Sequence, residues 1–143
     1  MKVFITGGTG FIGARLAEKL IEKDHELVML ARNPSMISFA GSKKVTVIKG
    51  DLSDREALRK GMESCDWVFH MAAYAKPSFK DPSDVTSVNI DGTVNVFEAA
   101  LRAGVSKVVF TSTGGTMSYS RDGKPVDEET NKNPKLHTLY EKT

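Results

Sequence analysis

Residues 6–13 read TGGTGFIG, and no other stretch of the chain restricts its fold so tightly. Gly7, Gly10 and Gly13 recur at every third position, directly after the apolar run KVFIT (residues 2–6) and directly before a segment of helical periodicity. A buried strand that enters a helix through three such glycines is the corner that seats a dinucleotide. Gly7 can take the backbone angles of a tight turn. Gly10 lets the main chain approach a diphosphate without a Cβ in the way, and Gly13 lets the helix close onto the sheet. The free N–H groups of the first helical turn then face the anion. The bland alternative is the same corner with no ligand, so the rest of the chain has to carry the argument.

Four more apolar runs, ELVMLA, KVTVIK, DWVFHM and KVVFTS, are short, rich in Val, Ile and Phe, and nearly continuous. They read as strands buried on both faces, the habit of parallel sheets. Helical candidates lie between them. The first, residues 11–23, sets Ile12, Leu16 and Leu20 on one face with Ala17 and Ile21 beside them. The second covers residues 54–63, with Ser53 as a candidate N-cap or Asp54 in its place. The third follows Pro82, with Ile90, Val94, Phe97 and Leu101 at helical spacing and Gly104 where a left-handed C-cap is expected. RNPSMISFAGSK, between the second and third strands, is open to a short helix or a loop. From Gly114 to Leu136 a long surface loop is expected, then a helix starting near Leu136 or Thr138. The alternation predicts right-handed βαβ units and an α/β, doubly wound Rossmann-type sheet of order 3-2-1-4-5, all of residues 1–143 forming one nucleotide-binding domain.

Composition narrows the partners. Lys and Arg number 20 against 18 Asp and Glu, a net charge of +2, too small to point to nucleic acid or an anionic membrane. Cys65 is the only cysteine, which excludes an intramolecular disulfide framework and a thiolate zinc site and fits a reducing, cytoplasmic setting. No apolar run reaches membrane-spanning length, and no metal site is expected. A small-molecule substrate is the partner that remains.

Thr6, Gly7, Gly10 and Gly13 match Thr-Gly-x-x-Gly-x-x-Gly, and here the sequence resembles the short-chain dehydrogenase/reductase superfamily. It is most similar to the extended branch, the NAD-dependent epimerase/dehydratase family, which includes nucleotide-sugar epimerases, dihydroflavonol reductases and related steroid dehydrogenases. The resemblance covers essentially the whole chain and implies cofactor contacts at Phe11 and Ile12 as well. An acidic residue at the tip of the second strand would bind the ribose 2′-hydroxyl of NAD, and an arginine accommodates the 2′-phosphate of NADP. That strand ends MLARN, so Arg32 favours NADP over NAD. In KGDLSD the resemblance implies that Asp51 accepts from the adenine amino group, with Leu52 beside the ring; otherwise Asp51 is a helix-initiating acid. In HMAAY, Ala72 and Ala73 leave room for the cofactor, and His70 reads as a packed strand-end histidine. His25 and His137 fall in expected turns and receive no role. Asn89 matches a family asparagine that supports the active site from the central helix.

The fifth strand ends in three hydroxyls, and the resemblance implies that Thr113 is catalytic, with Ser112 a rival because strand neighbours face opposite ways. It further implies that Tyr140 belongs to a Tyr-x-x-x-Lys pair on one helix face, where the ammonium favours the phenolate. The lysine would be the residue after Thr143. The chain is therefore expected to be the N-terminal part of a protein about twice as long, and its fifth strand, an uncovered apolar edge, is open to self-association into a homo-oligomer. The expected activity is NADP-dependent hydride transfer to or from a carbonyl or alcohol, as in dihydroflavonol reductases. The alternatives are a nucleotide-sugar epimerase or dehydratase that retains its cofactor, and a non-catalytic NADP-binding module.

Overall fold

The computed structural model describes residues 1–75, 81–117, 123–128, 136 and 138–143. Among these, β1 (Lys2–Thr6), β2 (Glu26–Ala31), β3 (Val45–Lys49), β4 (Trp67–His70) and β5 (Lys107–Phe110) form one parallel sheet of order β3-β2-β1-β4-β5. The expected α/β class and strand order are both present. After β3 the chain crosses back to pair β4 with β1, and in open parallel sheets ligands bind at the carboxyl ends of the strands flanking such a reversal.

Alternate residues of β1 serve two cores. Val3 and Ile5 pack with Leu27, Met29, Ala17 and Leu20 beneath α1 (Phe11–Glu22). Phe4 packs with Val28, Val68, Leu58, Met62 and Val96 beneath α2 (Arg55–Met62) and α4 (Gly92–Ala103). Burying a phenyl ring so completely stabilises by about 2–3 kcal/mol. At Gly61 of α2 any Cβ would run into the Phe4 ring, so this helix lies as close to the sheet as glycine permits.

Identifiable contacts decide several boundaries that the sequence pattern leaves open. The N-cap of α2 is Asp54, whose Oδ1 accepts from the Ala57 amide at 2.9 Å, because Ser53 is committed elsewhere: its N–H and O–H both go to Asp51 Oδ1. On α1 the buried side is Gly13, Ala17 and Leu20, with Leu16 and Ile21 half-buried against it, while Ile12 is 60% exposed. RNPSMISFAGSK contains a single 3-10 turn, Pro34–Met36, capped by the Asn33 side chain.

The helix after Pro82 is three windings in succession: α3 (Pro82–Thr86), a π-helical turn (Ser87–Asp91) and α4, ending at Gly104 with φ 68°, the left-handed cap expected there. The stripe Ile90, Val94, Phe97 and Leu101 does not enter the main core; all four are exposed, Leu101 by 83%. Smaller residues, Gly92, Val96, Ala99 and Ala100, face the sheet instead and admit a closer approach. All four residues of β5 are likewise exposed, so this strand is not buried on both faces.

The expected loop from Gly114 begins with a 3-10 turn, Gly114–Thr116; most of its remainder, and His137, lie outside the described residues. The last winding, Tyr140–Lys142, follows a reciprocal capping box: the Glu141 amide donates to Thr138 Oγ1 at 3.1 Å, and the Thr138 amide donates to Glu141 Oε2 at 2.9 Å. Among the described residues no helix is long and apolar enough to cross a membrane, and no group of three His, Cys, Asp or Glu could hold a metal ion.

Candidate active site

The glycine corner is as tight as its sequence demands. Gly7 has φ 75°, and the Gly10 amide donates to Gly7 O at 2.9 Å. A Cβ on Gly7 would lie 2.6 Å from the Ala72 nitrogen, and a Cβ on Gly13 would overlap the Gly7 carbonyl. Gly10 is the N-cap of α1 and offers no side chain, so the first-turn N–H groups of Phe11, Ile12 and Gly13 have no side-chain cap. The side chains of Phe11 and Ile12 are 85% and 60% exposed and pack on neither core.

This corner forms one wall of a cavity of about 390 Å³ at the carboxyl ends of β1 to β4. Thr6, Gly7 and Gly10 line it from β1 and the corner, Arg32 from the end of β2, Asp51 and Leu52 from the end of β3, and Ala72 and Ala73 from the end of β4. Eight of the eleven expected cofactor residues thus meet in one crevice, and Phe11, Ile12 and Gly13 do not line it. Thr9, Ser53, Tyr74 and Val88 also line it. Thr9, Ser53 and Tyr74 fall within the segments TGGTGFIG, KGDLSD and HMAAY at positions to which no cofactor role attaches, and Val88 carries no sequence signal. Asp51 holds its carboxyl below the usual range through the two Ser53 hydrogen bonds, with a smaller contribution from the charge of Arg32. Its fixed, ionised oxygens are acceptors. The Leu52 carbonyl is tied to Asn95 Nδ2 at 3.0 Å, which anchors the end of β3 to α4.

A second recess of about 130 Å³ shares Ala72 and Ala73 with the first. Thr111, Ser112 and Thr113 line it from the end of β5, Asn89 and Thr93 from the central helix, and Tyr140 from the last turn. Thr113 and Tyr140, the expected catalytic pair, therefore share one wall, although Ser112 shares it too. Thr113 Oγ1 accepts from the Gly115 amide at 3.2 Å, while Tyr140 is 38% exposed. Asn89, in the π turn, accepts from the Tyr74 amide at 2.7 Å and donates to the Tyr74 carbonyl at 3.3 Å and to Thr143 Oγ1 at 3.0 Å. It joins the floor of the first cavity to the turn that carries Tyr140.

His70 lies beneath both spaces. Its ring is fully buried, with Nδ1 2.6 Å from Thr6 Oγ1 and Nε2 3.0 Å from Thr93 Oγ1, and it stacks on Phe110 with centroids 5.3 Å apart. Burial lowers its pKa from 6.5 to about 4, so the imidazole is neutral.

Comparison with known proteins gives the family and the fold. The profile of the NAD dependent epimerase/dehydratase family matches residues 3–142. Cinnamoyl-CoA reductase 1 of Petunia hybrida is 37% identical over 137 residues, covering 90% of this chain and 40% of the relative. UDP-glucose 4-epimerase of Mycolicibacterium smegmatis is 35% identical over 142 residues, covering 94% and 45%. The structure of the Thermus thermophilus UDP-glucose 4-epimerase in complex with NAD superimposes with a TM-score of 0.82 at 32% identity, covering 99% of this chain and 47% of that one. The chain thus spans less than half the length of these relatives.

Proposed function

The chain belongs to the NAD dependent epimerase/dehydratase family, and from that premise we propose that it is the coenzyme-binding part of an NADP-dependent oxidoreductase acting on a carbonyl or alcohol, with Thr113 and Tyr140 at the reacting oxygen. The observation that carries this reading is the convergence of the glycine corner, Arg32 and Asp51 on one crevice that shares Ala72 and Ala73 with the recess of Thr113 and Tyr140.

The crevice fits a dinucleotide because Gly7, at φ 75° and packed against Ala72 with no room for a Cβ, holds the turn tight and because the first amides of α1 lack a side-chain cap. When bound, the coenzyme supplies or accepts hydride at the nicotinamide. Arg32, exposed at the tip of β2 where no carboxylate stands, offers a guanidinium to a 2′-phosphate. Asp51 accepts from the adenine amino group. Tyr140 donates its phenolic proton to the substrate carbonyl oxygen and takes it back in the reverse direction, while the Thr113 hydroxyl bonds the same oxygen and keeps the carbonyl in line. Asn89 maintains the separation of the two spaces by holding Tyr74 and Thr143 at once.

The resemblance to UDP-glucose 4-epimerases favours a second reading, a transient hydride transfer with retained coenzyme. Coenzyme that survives purification supports the epimerase, and free exchange with turnover supports the reductase. Titration of the full-length protein with NADPH and NADH tests the coenzyme preference. NADPH is expected to bind at least ~10-fold tighter, and Arg32→Ala is expected to abolish most of the difference, since charge-assisted bonds to phosphate contribute about 1.5–3 kcal/mol. Equal binding of the two by the wild-type protein refutes the NADP assignment. Unchanged turnover in Tyr140→Phe refutes the catalytic one.

A further inference from the structure

The crevice has two walls in van der Waals contact, and one hydroxyl fastens them. The Gly7 main chain lies against Met71 and Ala72, so closely that no Cβ fits between. Thr6 spans the contact: its carbonyl accepts from the Met71 amide at 3.3 Å, and its Oγ1 accepts from the Ala72 amide at 3.3 Å. A hydroxyl has a single proton, and here its direction is set by the only other partner of Thr6 Oγ1 among the described residues, His70 Nδ1.

The protonation of the ring follows from this arrangement. With hydrogen on Nε2, the Ala72 N–H donates to Thr6 Oγ1, the buried Thr6 O–H donates to Nδ1, and Nε2–H donates to Thr93 Oγ1, whose own proton can turn into the second recess that Thr93 lines. With hydrogen on Nδ1, the ring would donate to an oxygen that already accepts from Ala72, and the Thr6 proton would have no acceptor among the described residues. A neutral imidazole in the Nε2–H form is the state that locks Thr6. The lock is braced apolarly, by Phe110 stacked on the ring and by Phe97 in a T-shaped contact with centroids 6.3 Å apart.

We propose that His70 is a positioning residue for the coenzyme: it aims the Thr6 hydroxyl, which holds the Ala72 amide against the glycine turn and so sets the width of the diphosphate cradle. This rests on the reading that the crevice seats a dinucleotide. An aliphatic side chain could fill the same volume, but it would leave Thr6 free to rotate and the Ala72 amide free to drift. Because Thr93 belongs to the second recess, the same ring also ties the wall beside Tyr140 to the floor of the coenzyme crevice.

The test is a set of NADPH dissociation constants from fluorescence titration of the full-length protein, each paired with a thermal unfolding midpoint. The variants are His70→Leu, His70→Asn, Thr6→Val and the double variant of Thr6→Val with His70→Leu. A neutral hydrogen bond is worth a few-fold to about tenfold in affinity, so His70→Leu should bind ~5- to 10-fold more weakly. His70→Asn, whose side-chain oxygen can stand in for Nδ1, should bind within about twofold of wild type although its smaller side chain lowers the unfolding midpoint. In the Thr6→Val background the His70→Leu change should weaken binding no further. The proposal is overturned if His70→Leu binds like wild type, if His70→Asn and His70→Leu weaken binding alike, or if the Thr6 and His70 losses add. A wild-type protein that binds neither NADPH nor NADH overturns the coenzyme reading, and this inference with it.

Discussion

Mild acid should destabilise this protein through one side chain, in a pH range where its carboxylates are still silent. His70 titrates near 6.5 in the unfolded chain and near 4 in the folded one, because the proton must enter a fully buried ring. Between those values the unfolded state binds more protons than the native state, so stability falls as pH falls. The slope approaches ~1.4 kcal/mol per pH unit, and integration from pH 7 to pH 5 gives a loss of ~2 kcal/mol. Asp24, Asp51, Glu56 and Asp81 also titrate below their ordinary values when folded, but their contributions are lost only as pH falls through the carboxylate range, below this window. Urea unfolding followed by Trp67 fluorescence at pH 7, 6 and 5, on wild type and on His70→Leu, isolates the effect. Groups common to both proteins cancel in the difference. The wild-type curve should fall by ~2 kcal/mol more than the variant over this range. Parallel curves would show that the imidazole is protonated as easily in the folded protein as in water, and the assignment of a neutral, locked ring would fail.

Two further outcomes follow from the packing. Gly13→Ala should abolish measurable coenzyme binding in a titration, because its Cβ would overlap the Gly7 carbonyl and push α1 away from the turn; binding within a few-fold of wild type would mean that the corner is softer than its geometry implies. On α4, Val96→Ala should cost ~2 kcal/mol in urea unfolding, whereas Leu101→Gln should stay within about 0.5 kcal/mol, since Val96 is wholly buried and Leu101 almost wholly exposed. A larger loss at Leu101 would reverse the assignment of the helix faces.

The sheet was legible because buried parallel strands leave unbroken apolar runs and because the glycine corner fixes which run comes first. The crevice was legible for the same reason: strand ends are short and sequential, so Arg32, Asp51, Ala72 and Ala73 can each be counted from the strand they terminate. Helix faces are less legible. Ile90, Val94, Phe97 and Leu101 have the right spacing, but the pattern cannot say whether large residues or small ones face the sheet, and on α4 the small ones do. Ser53 looked like a cap until Asp51 claimed both its donors. The role of His70 could not be seen at all, since its partners Thr6 and Thr93 come from elements 64 and 23 residues away. The capping box at Thr138 and Glu141 was visible in principle, as Thr-x-x-Glu, and marks the start of the last turn.

The wide winding at Ser87–Asp91 has a consequence for how the central helix tolerates change. A π turn holds one residue more than an α turn spans, so it works as a phase shifter between Val85 on one side and Val96 on the other, with Asn89 inside it. Deleting a single residue there would straighten the rod and rotate one half by roughly 100° relative to the other. Either Asn89 would swing off Tyr74, or Val96 would leave the sheet. Length at this spot is therefore less forgiving than side-chain identity, and insertions or deletions elsewhere on the helical surface are no guide to what happens within those five positions.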